Sequence, residues 1–241
     1  MTVGPAGLPR PLVPAAFDTA APAYDSLVGA NPGYHEHLRI SVHRMDIPDN
    51  GRGLRLLDAG CGTGASTAAL LAAAPEAEII AADASKGMLD AAAAKSWPPS
   101  VQFVHTPIEA LAEAGIEGPF DGIFAAYLLR NLADPDQQLT RFRMMLRPGG
   151  TLAIHEYSVR DSKLAAVIWN AVCWAIIIPL AWIRTRDITL YRHLWRSVNG
   201  FDGASAFRNR LAQAGFENIR SDTVPGWQRG IVHTFLAKAP R

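Results

Sequence analysis

Three glycines at alternate positions directly after an apolar run constrain this chain more than any other feature. Leu56-Leu57-Asp58-Ala59-Gly60-Cys61-Gly62-Thr63-Gly64-Ala65 follows a run that begins at Leu54, and a stretch of small residues, Ser66–Ala74, comes after it. The apolar run reads as a buried strand and the small-residue stretch as a helix. Glycines between them allow a sharp turn and let a ligand approach main-chain N–H groups at a helix start. The spacing is G-x-G-x-G, which is not the G-x-G-x-x-G of dinucleotide-binding turns.

The rest of the chain repeats the alternation. Strands are expected at 79–82, 101–104, 120–127 and 151–157, with helices at 66–74, 86–95, 108–114 and 135–146 between them. Ser85 and Asp134 are suited to cap the helices that follow, and Pro135 falls at the first helical position. Two β-like runs near 218–224 and 231–236 follow a helix at 205–214 that Gly215 can end. Alternation of this kind predicts an α/β fold with a doubly wound, mostly parallel sheet of seven strands. A helical segment at 34–45 precedes the first strand. Residues 1–14, with four prolines and two glycines, are expected to be a flexible tail rather than a signal peptide. The remainder, 15–241, reads as one domain, with an N-terminal cap at 15–50 and a helical insert at 160–199 ahead of the last two strands.

Composition limits the partners. A formal net charge of +1 and no basic run give no electrostatic case for nucleic acid. Two cysteines, one inside the glycine loop, make no disulfide framework and suit a reduced cytoplasmic setting. The seven histidines show no metal-ligand spacing, so no metal is expected.

In an open α/β sheet, ligands sit beyond the carboxyl ends of the strands near the switch point. Asp83, at the tip of the second expected strand, is placed to accept the ribose hydroxyls of an adenosyl ligand, and Met88 to pack on its adenine. A turn or cap role is the plain alternative for Asp83, and an ordinary core role for Met88.

Four segments match in order the successive motifs of class I S-adenosylmethionine (SAM) methyltransferases: Leu56–Gly64, Ala81–Leu89, Phe120–Ile123 and Leu146–Thr151. Within that superfamily the chain resembles the ubiquinone/menaquinone-biosynthesis C-methyltransferases. Tyr24-Asp25, Leu129-Arg130-Asn131-Leu132 with Asp134, Glu156-Tyr157-Ser158, Tyr191-Arg192-His193-Leu194 with Ser197, Ala214-Gly215-Phe216 and Gly230-Ile231-Val232 carry this likeness. It implies a Rossmann-like methyltransferase fold, SAM as cofactor and methylation of a ring carbon of a prenylated quinol. Asp58, Gly60, Gly62, Gly64, Asp83, Ala84, Met88, Thr106 and Tyr127 become the candidate cofactor site. Arg130, Asn131, Glu156 and Tyr24 become the candidate catalytic group, with Arg130 stabilising a phenolate, Asn131 holding the second ring oxygen and Glu156 accepting a proton. Arg130 paired only with Asp134 or Asp136, and Glu156 as a cap on N–H groups, are the structural alternatives. Tyr191, Trp169 and Trp174 are the candidate acceptor contacts. One departure stands out. Pro107 occupies the place where the family carries an adenine-contacting Asp, so Thr106 or a backbone carbonyl is expected to take that contact.

Leu164–Ile183 is a charge-free run long enough to span a bilayer, flanked by Lys163, Arg184 and Arg186. A crossing would separate the last helix and strands from their sheet. The run is therefore expected to cap the site or to lie in the membrane interface, broken at Pro179 and anchored by Trp169, Trp174 and Trp182. A buried helix pair or a homodimer contact is the alternative. The expected location is cytoplasmic, peripheral at the inner face of a membrane. O- or N-methylation of another lipophilic acceptor, and a silent SAM-fold scaffold, are the competing readings.

Overall fold

A computed structural model of the chain describes Pro9 and residues 12–241. Most of the expected 1–14 tail lies outside the described residues. Its last two residues, Val13 and Pro14, open helix α1 (Val13–Gly29), where proline is tolerated because the first N–H groups have no helical partner. Helix α2 (Tyr34–His43) follows. The alternating core then runs β1 (Arg55–Ala59), α3 (Ala65–Ala73), β2 (Glu78–Asp83), α4 (Lys86–Ala93), β3 (Val101–His105), β4 (Phe120–Ala126), α5 (Pro135–Met145) and β5 (Leu146–Tyr157). After it come α6 (Lys163–Val172), α7 (Ile178–Thr185), α8 (Thr189–Gly200), α9 (Ala204–Gln213), β6 (Glu217–Thr223) and β7 (Val232–Lys238).

The sheet order is β3-β2-β1-β4-β5-β7-β6. β1 to β5 are parallel, while β7 pairs antiparallel with both β5 and β6. The order reverses between β1 and β4, which is where a parallel sheet opens a crevice beyond its strand ends. Both faces are covered, so the central strands read as continuous apolar runs. Alternation divides them. Leu57, Ile80, Ile123, Leu152 and Phe235 pack on one face against α5 and α9. Leu56, Ile79, Phe124, Ala153 and Leu236 pack on the other against α2 and α3.

Local signals predicted the caps well. Ser85 Oγ accepts the Met88 N–H at 3.1 Å, and Asp134 Oδ1 accepts the Gln137 N–H at 2.9 Å. Two expectations change. The helix expected at 108–114 is two short 3-10 turns, Ile108–Ala110 and Ala112–Ala114. The break expected at Pro179 is absent. A π-helical turn, Cys173–Ile177, joins α6 to α7 in one helix. A wider turn relieves the clash between a proline ring and the carbonyl four residues earlier.

Candidate functional site

Two cavities meet under α1 at the carboxyl ends of the strands. The first, about 580 Å³, is lined by the glycine loop, Asp83, Ala84, Met88 and Pro107. The second, about 490 Å³, is lined by the insert, α8 and a group of tyrosines. Phe17, Tyr24, Tyr34, Tyr127, Arg130 and Asn131 line both, so a ligand in one reaches a ligand in the other across these side chains.

The first cavity is shaped by backbone. Gly60 stands at φ 76°, and a Cβ there would sit 3.0 Å from Leu128 Cδ1. Gly64 stands at φ 90°, and a Cβ there would lie 2.7 Å from the Trp97 ring. Both positions exclude side chains by conformation and by space. The Asp83 carboxylate braces the turn: Oδ2 accepts the Gly62 N–H and Oδ1 the Ser85 N–H, each at 2.8 Å. A carboxylate has lone pairs for about four hydrogen bonds, and two of those are used. Its remaining capacity fits the paired hydroxyls of a ribose in the cavity it lines. Burial pushes the Asp83 pKa up, against the pull of the two N–H donors. A glycine cradle, a half-satisfied, half-buried carboxylate and an apolar wall of Met88, Pro107 and Ile108 together fit an adenosyl ligand.

Three predicted cofactor residues do not line this cavity. Asp58 is fully buried and accepts the Ser66 and Thr67 hydroxyls at 2.7 and 2.6 Å, fastening β1 to the first turn of α3; burial pushes its pKa up to about 7. Gly64 packs against Trp97 behind the loop. Thr106 turns its hydroxyl onto the Pro107 and Ala110 carbonyls at 3.3 and 3.4 Å, away from any ligand. Position 107 thus offers an apolar surface, continued by Ile108.

The sequence reading missed the fastening of α1 over this cavity. Asp18 Oδ1 accepts the Ser85 hydroxyl at 2.6 Å and the Gly87 N–H at 2.8 Å. Asp25 accepts the Thr63 hydroxyl at 2.5 Å and pairs with Lys95 at 2.6 Å. These contacts are partly exposed, so each is individually weak. Replacing both Asp18 and Asp25 with alanine frees α1 from the loops it covers and is expected to speed release of an adenosyl ligand by roughly threefold to tenfold. Stopped-flow dissociation checks this, and an unchanged rate removes α1 from the closing step.

At the junction, Arg130 is held from three sides. Its Nη1 donates to Glu156 Oε1 at 2.5 Å and to the Tyr127 carbonyl at 2.8 Å. Its Cζ lies 5.6 Å from the ring centroids of both Tyr127 and Tyr157. The side chains of Arg130 and Glu156 are 7% and 0% exposed, so the pair is shielded from water. Glu156 Oε1 also accepts the Tyr157 N–H at 2.9 Å. Burial raises the Glu156 pKa, and Arg130 and the N–H donor oppose that rise. Glu156 lines neither cavity. It sits behind Arg130 and orients it, which corrects the expectation of a substrate-facing proton acceptor. The acids first considered for Arg130 are committed elsewhere: Asp134 caps α5 and Asp136 pairs with Arg210 at 2.6 Å.

Asn131 Nδ2 donates to the Tyr127 carbonyl at 3.2 Å, and its Oδ1 lies 3.0 Å from His193 Nε2. His193 lines the second cavity, and burial, with Arg130 nearby, lowers its pKa to about 4. The sequence motif included His193 without a role. Tyr191 lines the same cavity, with its buried hydroxyl unbonded among the described residues. Tyr24, on α1, and Tyr34, at the start of α2, share a hydrogen bond. Trp169 and Trp174 line neither cavity. Trp169 is fully buried against Tyr157, with ring centroids 4.7 Å apart, and Trp174 is half exposed.

His155 lies on the opposite side of β5 from Glu156, as strand alternation requires. Its Nδ1 is 2.6 Å from Ser41 Oγ and its Nε2 is 3.0 Å from the Tyr127 hydroxyl. Ser41 continues to Thr234 at 2.6 Å, and Thr234 accepts from Arg44 at 2.8 Å. Burial lowers the His155 pKa to about 3. An unfolded histidine binds its proton near pH 6.5, so only the unfolded chain gains it between those values. The contribution of neutral His155 is complete above pH 6.5 and is lost as pH falls toward 3. His155→Asn is expected to flatten the stability curve between pH 6 and 4.5 by up to about 1.4 kcal/mol per pH unit. Denaturant titrations of both proteins at several pH values check this.

Comparison with known proteins places this geometry. The model of the ubiE/COQ5 methyltransferase family matches residues 10–237. The "Ubiquinone/menaquinone biosynthesis C-methyltransferase UbiE" of Syntrophotalea carbinolica is 31% identical over 221 residues, covering 90% of this chain and 89% of that protein. The "Demethylmenaquinone methyltransferase" of Clavibacter sepedonicus is 29% identical, covering 86% and 83%. Among solved structures, the [4+2]-cyclase SpnF superposes with a TM-score of 0.69 at 17% identity over 98% and 99% of the two chains. Human N-acetylserotonin methyltransferase in complex with SAM gives 0.62 at 15% identity, over 95% of this chain and 57% of that one. These likenesses at low identity show the fold alone, and a cyclase among them illustrates that a fold does not set an activity.

Proposed function

The chain belongs to the ubiE/COQ5 methyltransferase family, and we propose that it methylates a ring carbon of a prenylated quinol. Methyl transfer is the activity for which this family is named. The observation that carries the acceptor assignment is the second cavity: apolar and aromatic, with one buried cation, Arg130, at its junction with the cofactor cavity.

SAM supplies an electrophilic methyl group when bound. The chain supplies alignment and activation. Asp83 and the glycine loop fix the adenosyl end, and Tyr24, Tyr34 and Tyr127 wall the passage between the cavities. A quinol hydroxyl near Arg130 is drawn toward ionisation, because a buried cation favours the phenolate over a phenol of pKa ~10. The hydroxyl proton passes to water, and ionisation raises electron density at the neighbouring ring carbon. That carbon takes the methyl group as the neutral thioether leaves, and its own proton then goes to water as the ring regains aromaticity. Glu156 and the Tyr127 carbonyl hold the guanidinium so that no reorganisation is needed during reaction. Neutral His193, too weak a base to carry a phenol's proton, anchors a ring oxygen together with Asn131. Tyr191 contributes a hydroxyl on the same wall. The setting proposed is the cytoplasmic side of a membrane that holds the quinol.

Lipid extracts of the host with and without the gene test this. Loss of the gene is expected to leave a quinone lighter by one methylene group. Identical quinone pools with altered phospholipids would favour a phospholipid acceptor instead.

A further inference from the structure

The helix Lys163–Thr185 has two working faces. Its inner face, with Ile168, Val172, Ile177 and Leu180, walls the second cavity. Its outer face shows Leu164, Val167, Trp174, Ile176, Trp182 and Ile183, each at least half exposed. Only two other large apolar side chains are so exposed among the described residues, Leu12 and Met144. Ile176 belongs to both faces: it lines the cavity and is 57% exposed. Ile176 thus joins the cavity wall to the apolar patch.

Charge along this stretch of chain is one-sided. Between residues 163 and 196 the chain carries Lys163, Arg184, Arg186, Arg192 and Arg196 against a single acid, Asp187. The whole chain has a net charge of only +1, so cations are concentrated here. An exposed apolar face with tryptophan, on a stretch of chain rich in cations, matches the boundary of an anionic bilayer. A second copy of the chain meeting this face would bring like charges together. A membrane crossing is also ruled out by topology, because β7 pairs with β5 over seven consecutive positions after the insert.

We propose that the outer face of α6 and α7 docks on an anionic lipid bilayer, lying in its plane, with the cavity mouth at Ile176 opening into the lipid. The acceptor's ring enters the cavity there while its tail stays in the bilayer. Docking rests on the exposed face and its cations alone; the entry route rests on the quinol reading.

Flotation of the full chain with phosphatidylcholine vesicles, with and without phosphatidylglycerol, tests the docking. The wild type is expected to float with the anionic vesicles, less with the neutral ones, and less again at high salt. The combined Val167→Ser, Trp174→Ser, Trp182→Ser, Ile183→Ser variant, which changes no cavity-lining residue, is expected to lose vesicle affinity by roughly tenfold or more. Calorimetry with SAM reports whether the variant is folded. A second variant, Arg184→Glu with Arg192→Glu, keeps the apolar face and is expected to lose the preference for phosphatidylglycerol. Equal flotation of wild type and serine variant overturns the proposal, as does a wild type that stays soluble with both vesicles or forms a dimer that no longer floats. Vesicle binding without turnover of any quinol would instead contradict the acceptor assignment and leave docking intact.

Discussion

Replacing Arg130 with methionine is expected to lower turnover by roughly a hundredfold to a thousandfold while leaving SAM affinity within about threefold. The cation stands where the two cavities meet, while Asp83 and the glycine loop line only the first. The same change strips Glu156 of its partner. An uncompensated buried charge costs about 3–5 kcal/mol, so the single variant is also expected to unfold at markedly lower denaturant. The double variant Arg130→Met, Glu156→Gln separates the two effects. With no charge left to strand, it is expected to regain most of the stability and none of the turnover. Recovery of turnover along with stability would mean that Arg130 is only a structural partner of Glu156.

Asp83→Ala is expected to remove measurable SAM binding. Each hydrogen bond from a hydroxyl to a carboxylate contributes about 1.5–3 kcal/mol, so losing two weakens binding by at least roughly a hundredfold. The change also releases the Gly62 and Ser85 N–H groups that the carboxylate braces, loosening the turn. Asp83→Asn keeps one acceptor oxygen and is expected to fall between. Calorimetry at high micromolar SAM reads the series directly. Affinity within threefold of wild type for Asp83→Ala would contradict the placement of the ribose.

What the sequence could show follows from how local each signal is. The glycine turn, the Asp83 tip, the Ser85 and Asp134 caps and the strand alternation depend on neighbours within a few residues, and all stand where the pattern put them. The Arg130–Glu156 pair spans 26 residues and depends on the β4–β5 register, in which Ala126 pairs with His155. No local pattern reports that register, so Glu156 read as a site residue rather than as the brace behind one. The insert shows the same limit. Its hydropathy announced a helix of membrane-spanning length but carried no phase, and three tryptophans looked equivalent. The helix faces separate them: Trp169 is buried in the core, while Trp174 and Trp182 face outward. The sequence reading gave no fastening role to Asp18 or Asp25, whose partners, Ser85 and Thr63, lie 67 and 38 residues away. Pro107 was read as a lost polar contact, and the structure shows an apolar wall with Ile108 in its place.

The central claim is carbon methylation of a quinol at the meeting point of the two cavities. Incubating the purified protein with isotopically labelled SAM and a short-tailed demethylated naphthoquinol, then locating the label by carbon magnetic resonance, tests it most directly. The account predicts a label on a ring carbon with the reduced substrate and none with the oxidised quinone, whose ring lacks the ionisable hydroxyl. A label on oxygen, or equal transfer to the oxidised form, would contradict it.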